Sequence, residues 1–426
     1  MCIRDRNVTF GAGDDTVATI TGITGTLALG AGSNHLNIGN SQDISAATVS
    51  VAGVGVYDLH LLDGGSAFTA TLSASELQNS HAYVSNQSTG SITIDVHGDL
   101  SGYSLSSAID TLVLDSGTND VVIGGVSSQN IDASSAGANT ETVHISHDYS
   151  GTYTSAASQT DVLDITATSD IHAATLAGAG AFKIHLDSAA NATMTIAENG
   201  LISSTSGSNT VTLTDAGSVS GNSHVASYNL ASTGPSTFTF SNALSQEVIG
   251  NGAADNFHVT LPNIGSDNIA TVDATSDHNV ANDFVTNTSS VGNGVFGYMN
   301  ISGFEKNYDT FNVEVNGNSI SQGGFNLVGD TGVIFGTDQV YVETWYTQGT
   351  LTDTTSLTSW INDNLMVSNQ MNTFVLYSST DILNADAGIY KVIGDGDHVS
   401  AIQLVGIAHS VGYEQLSYAN FHQTPP

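Results

Sequence analysis

Gly207-Ser208-Asn209-Thr210-Val211-Thr212-Leu213 is the clearest copy of a phrase that recurs along the chain and decides its fold. The order Gly-x-Asn-x-apolar-x-apolar returns at Gly32-Ser33-Asn34-His35-Leu36-Asn37-Ile38 and at Gly117-Thr118-Asn119-Asp120-Val121-Val122-Ile123. A fourth copy, with one inserted residue and Asp in place of Asn, runs from Gly252 through Asp255 to Val259. Each reads as a turn followed by a short strand. Glycine supplies the positive φ of a tight turn, Asn tolerates the left-handed region, and the alternation puts two apolar side chains on one face. One such unit cannot bury its apolar pair alone, so the units are expected to stack.

The spacing supports stacking. The triplets beginning at Ile92, Leu112, Val143, Leu163, Ile184, Val211, Phe238 and Phe257 are separated by 20, 31, 20, 21, 27, 27 and 19 residues. A base period near 20 with insertions is the pattern of a solenoid, whereas a Greek-key sandwich spaces its strands at roughly 8 to 12 residues. The expected fold is all-β: a right-handed parallel β-solenoid, β-helix or β-roll in kind, over residues 7–297. Equivalent Asn residues on successive turns are expected to stack as an amide ladder.

From residue 298 the composition changes, with 16 of the 30 aromatic residues in the last 129 positions. Longer alternating strands appear at Thr310–Val315 and Gln339–Trp345. Leu357, Trp360, Ile361 and Leu365 fall at helical spacing, which predicts a helix over Ser356–Val367 with Ser356 as its N-cap. Residues 298–426 therefore read as a smaller C-terminal β-rich or α+β domain that covers the last rung. Met1–Arg6 holds two of the five basic residues and the only cysteine, and reads as a non-native scar. The first phrase begins in mid-pattern, so the natural chain is expected to be longer at its N-terminus.

Composition narrows the partners. Forty acidic residues, 32 of them Asp, face five basic ones, for a net charge of -35. Such a surface repels phosphate, which argues against nucleic acid and anionic membrane and in favour of cations. No apolar run approaches membrane-spanning length, so no membrane insertion is expected. The single cysteine leaves no disulfide framework, thiolate metal site or cysteine nucleophile in residues 7–426.

Two stretches carry a resemblance. Phe10-Gly11-Ala12-Gly13-Asp14-Asp15-Thr16-Val17-Ala18 fits the nonapeptide Gly-Gly-x-Gly-x-Asp-x-apolar-x at every defined position but the first, and Leu29–Asn37 fits it with Asn34 for Asp. Late in the chain, Ile301–Val313 resembles the passage that follows such repeats in type I secretion substrates, and Ala385–Val392, Ile402–Gly406 and Leu416–Phe421 resemble their uncleaved C-terminal export region. The chain thus resembles the repeats-in-toxin-like bacterial surface proteins, of surface-layer or adhesin type. The resemblance implies a calcium-stabilised, extracellular or cell-surface protein with a C-terminal secretion domain. It also implies partners among calcium, cell-surface polysaccharide or copies of itself. Its candidate calcium ligands are Asp14 and Asp15, and on the late loop Gly394-Asp395-Gly396-Asp397 the carboxylates Asp395 and Asp397. The same loop equally suits a plain hairpin.

Histidine gives one further pattern. His60, His144, His185 and His258 each stand in the middle of an apolar triplet, which predicts outward side chains; aligned rungs would bring some together as a pH-responsive or metal-binding stripe. His144 and His147 beside Asp148 are the expected local partners. No zinc helix, nucleophile elbow or phosphate loop occurs, so no enzyme is expected. The alternatives are a carbohydrate-active β-helix enzyme and a calcium-binding module of a larger secreted protein. Lys183 is the only basic residue between Asn7 and Gly297, which weakens a lyase reading.

Overall fold

The computed structural model describes residues 7–19, 23–39, 41–52, 57–61, 67–84, 90–115, 117–123, 126–137, 139–241, 245–260, 269–288, 297–305, 307–315, 318–319, 339–345, 349–364, 371–378, 385–396 and 398–411. The strands wind as a parallel β-solenoid of about ten turns in all. The chain divides into two compact units, Met1–Met194 with Leu201–Gly207, and Thr195–Gly200 with Ser208–Pro426.

Over residues 92–165 of the first unit each turn contributes one strand to each of two parallel sheets. Thr111–Leu114 and Asp120–Val122 make one turn, Asn130–Ala133 and Thr142–Ile145 the next, Thr152–Ser155 and Thr160–Ile165 the third. Leu112 pairs with Ile131, and Val121 with Val143. The 31-residue gap from Leu112 to Val143 is therefore no insertion: it is one turn plus the step from one sheet to the other. Asn130–Ala133 and Thr152–Ser155 escape the sequence pattern because their inward residues include Ala133, Tyr153 and Ser155 in place of aliphatic pairs.

Alternation does the rest. In Thr160–Ile165 the side chains of Asp161, Leu163 and Ile165 are buried, with Val162 and Asp164 half-buried on the outer face. Burying an aliphatic side chain contributes about 1.5–3 kcal/mol, which summed over turns offsets the ordering of so much Ser, Thr and Gly.

The second unit repeats the plan with a heavier core. At one register position Phe238 pairs with Phe257, Phe257 with Phe284, and Phe284 with Phe311. All four are buried, and the Phe257 and Phe284 rings stack with centroids 5.4 Å apart. The rungs run on through Tyr298–Ser302 and Thr310–Val315, past the change in composition at 297/298. There the extra aromatic residues Phe304 and Phe311 still serve the solenoid interior.

Beyond them the sheet changes character. Val399–Ala408 lies parallel to Tyr298–Ser302 and covers its edge, then pairs antiparallel with Ala387–Gly394, which pairs antiparallel with Met371–Tyr377. The helix spans Thr354–Asn364, with Leu357 and Ile361 packed against Tyr390, Val392, Ile402 and Leu404. Its N-cap is Asp353, not Ser356: the Asp353 carboxylate accepts the Ser356 N–H at 3.1 Å and the Ser356 hydroxyl at 2.6 Å. Leu365 to Val367, included in the expected helix, lie outside the described residues. Among the described residues no helix is long and apolar enough to cross a membrane.

Candidate metal centres

The two nonapeptide-like copies lie one above the other. Their glycines are needed for close approach: a Cβ on Gly30 would fall 1.5 Å from the Gly11 carbonyl oxygen, and one on Gly32 (φ +139°) 2.4 Å from that of Gly13. Asp14 is exposed and accepts the Ser33 N–H at 2.8 Å. Asn34 accepts the Asp15 N–H at 3.2 Å and donates its amide to the Gly30 and Gly32 carbonyls at 2.9 and 3.2 Å. Asp15 keeps one buried oxygen, Oδ2, without a hydrogen bond. Calcium takes six to eight oxygens. Asp15 Oδ2 is available to it, whereas the oxygens of Asn34, Gly30 and Gly32 already accept hydrogen bonds, so the donor set fits calcium only in part.

Asp395 serves a turn. It accepts the His398 N–H at 2.8 Å, its own N–H donates to the His398 carbonyl at 3.0 Å, and Gly396 takes φ +110°. This is the hairpin between Ala387–Gly394 and Val399–Ala408. Asp397 lies outside the described residues.

The phrase's third residue has a role of its own. Asn119 Oδ1 accepts the Leu100 N–H at 2.8 Å, Glu141 Oε2 accepts the Asn119 N–H at 2.6 Å, and Asp161 Oδ1 accepts the Glu141 N–H at 3.1 Å. In the second unit Asp255 accepts from Ser236 at 2.7 Å, Asn282 from Asp255 at 3.0 Å and Asp309 from Asn282 at 2.9 Å. All six acceptors are buried. The expected ladder therefore exists as side chain to main chain, not amide to amide. Glu141 and Asp161 belong to it although neither is itself the third residue of the phrase.

Burial is the main cost of these groups. It pushes Asp255 up to about 7 and Asp309 up to about 6, and it raises Glu141. Glu76, N3 of a capping box with Ser73, is likewise raised to about 7 by burial. Asp255 Oδ2 and Glu76 Oε1 are buried with no hydrogen bond.

Histidine and aspartate meet on the outer faces. Val122, His144, Asp164, His185 and Ser204 occupy one register row. The His144 ring lies between two carboxylates, Nε2 at 2.7 Å from Asp120 and Nδ1 at 2.6 Å from Asp164. Its partners thus come from neighbouring turns and not from His147 and Asp148; Asp148 instead accepts the Asp170 N–H at 2.9 Å. Local spacing pointed inside the loop, whereas the parallel register brings the outer positions of successive strands together. His185 Nδ1 is 2.6 Å from Ser204 Oγ and Nε2 3.5 Å from Asp187; Asp164, His185 and Asp187 offer ligand atoms within 4.8 Å of one another.

The second such group is His35, Asp58 and His60, which sequence spacing did not assemble. His35 and Asp58 are register partners on adjacent parallel strands, and His60 lies two residues along on the same face. His35 Nδ1 is 3.2 Å from His60 Nε2 and 3.2 Å from Asp58 Oδ2, and the two imidazoles are edge to face. Burial, then the neighbouring His35, holds His60 below the usual imidazole value, which favours its neutral, ligating form.

Compared with protein-family models, curated proteins and solved structures, the chain matches none.

Proposed function

We propose that this chain is a secreted or cell-surface structural or adhesive protein, exported through a C-terminal type I secretion region and steadied by calcium. One observation carries the adhesive reading. Thr69, Thr93, Thr111, Asn130, Thr152 and Thr175 occupy one outer register row over six successive strands, each half-buried or exposed. Parallel strands hold such groups about 4.8 Å apart, a regular line of hydroxyl and amide groups suited to a polyhydroxylated polymer. Calcium is favoured by the net charge of -35 and by the unpartnered oxygen of Asp15, which a cation can neutralise.

The row is tested by sedimentation of the full chain with bacterial surface polysaccharide. A Thr93→Val, Thr111→Val, Thr152→Val triple variant keeps the shape and removes three hydroxyls. Binding that falls about tenfold or more supports the row, and unchanged binding removes it. Export is tested separately by fusing residues 298–426 to a cytosolic reporter in a bacterium with a type I exporter. Retention of that fusion while the full chain is secreted counts against the C-terminal reading. A melting temperature that does not move across a calcium titration at fixed ionic strength would remove calcium.

A further inference from the structure

We propose that His35, Asp58 and His60 form a binding site for a divalent transition-metal ion of the zinc class, joining two neighbouring turns of the first unit. The proposal is independent of calcium and of the polysaccharide row.

The geometry distinguishes this cluster from the other histidines. A tetrahedral ion with ligands at about 2.0–2.1 Å sets its donor atoms about 3.3 Å apart. His35 Nδ1 lies 3.2 Å from both His60 Nε2 and Asp58 Oδ2, and all three residues offer atoms within 4.8 Å of one another. The contact with Asp58 is long for a charge-assisted hydrogen bond, which runs about 2.7–2.9 Å, and one Nδ1 proton cannot serve both partners fully. His144 shows what hydrogen bonding looks like in this fold, at 2.6 and 2.7 Å to its two carboxylates.

The donor chemistry selects the ion. Two imidazole nitrogens and one carboxylate suit zinc, copper or nickel, whereas calcium and magnesium prefer oxygen throughout. The side chains of His35 and Asp58 are 31% and 28% exposed, so water can reach a fourth position. His81, the register partner of Asp58 on the next strand, has its Nδ1 3.8 Å from Asp58 Oδ1, beyond hydrogen-bond distance. The ligands sit on two hydrogen-bonded strands, His35–Ile38 and Tyr57–Leu61, so the site is fixed by sheet register and not by a loop. The group Asp164, His185 and Asp187 offers a single imidazole, with Nδ1 already 2.6 Å from Ser204, and serves as the internal control.

The test is calorimetric titration of the full chain with zinc chloride in excess calcium, repeated with His35→Gln, His60→Gln and His185→Gln. The expected result is a saturable site whose affinity falls about tenfold or more in the first two variants and is retained in the third. Cobalt(II) alone should give the intense visible bands of tetrahedral coordination, lost in His60→Gln. Each variant's metal-free circular dichroism and melting are recorded; if His35→Gln is misfolded, His60→Gln and His60→Asn decide. Absence of saturable zinc binding, affinity unchanged in the His60 variants, or an octahedral cobalt spectrum overturns the proposal.

Discussion

The carboxylate of Asp255, wholly buried, accepts the backbone N–H of Ser236 at 2.7 Å, nineteen residues earlier in the chain. The bond joins neighbouring turns at the residue before each strand begins, where sheet pairing has not yet started. Its other oxygen has no hydrogen bond, so the ionised form is costly.

Stability should accordingly fall as pH rises. Asp255 and Glu76 are raised to about 7 and Asp309 to about 6, all by burial. The folded chain therefore keeps protons that the unfolded chain has released above roughly pH 4. Their contribution is greatest at the acid end of this window, declines through it and levels off above about pH 7. Asp43, held low by Ser45, and Glu305, held low by His278, act in the opposite sense, below the ordinary carboxylate range. Calorimetric melting at pH 5, 6, 7 and 8, at fixed ionic strength with a chelator, should show the decline. Asp255→Asn, which keeps the acceptor and removes the charge, should narrow the difference between pH 5 and pH 8 by about 1–2 kcal/mol.

The phenylalanine column carries much of the second unit. Phe284 packs between Phe257 and Phe311 in register and against Phe304, with a centroid distance of 5.6 Å to the last. Phe284→Ala should cost about 3–5 kcal/mol, and Phe284→Leu markedly less. Urea denaturation reads both.

His144 tests whether outer-face charge pairing matters. Its ring nitrogens lie 2.7 Å from Asp120 and 2.6 Å from Asp164. His144→Ala should destabilise by roughly 1 kcal/mol, since the group is half-buried and short-bonded but open to solvent screening. A double-mutant cycle with Asp164→Asn should give a coupling of similar size; additive effects would mean that the row is only decorative.

Gly32 has no room for a side chain. At φ +139° with its missing Cβ 2.4 Å from the Gly13 carbonyl oxygen, Gly32→Ala should destabilise the first turns by about 1–3 kcal/mol. Hydrogen exchange should quicken first in Thr16–Thr19 and His35–Ile38, with distant turns unaffected.

The architecture was legible because Gly-x-Asn and an apolar pair must recur wherever a turn delivers a strand inward. Half of some turns was not legible: Thr152–Ser155 buries Tyr153 and Ser155, which no aliphatic search finds. The buried ladder was visible at Asn119 and Asp255, but Glu141 and Asp161 reach the same acceptor position from outside the phrase. Outward histidines were recognised at His60, His144 and His185. Their partners were not, because Asp58 meets His35 through the register of two parallel strands, and spacing alone does not fix register.

The six side-chain-to-main-chain bonds of the buried ladder all point one way. In each, the donor belongs to the earlier turn and the acceptor to a residue 19 to 27 positions later. A chain emerging from its amino end always presents the donor first, and the matching oxygen arrives only when one more coil has been made. In this ladder each main-chain donor is satisfied only by the turn that follows it, while the Gln129 and Gln246 amides donate back to the turn before, at 2.7 Å to Ile109 and 2.9 Å to Val225, so a turn is closed off by both of its neighbours.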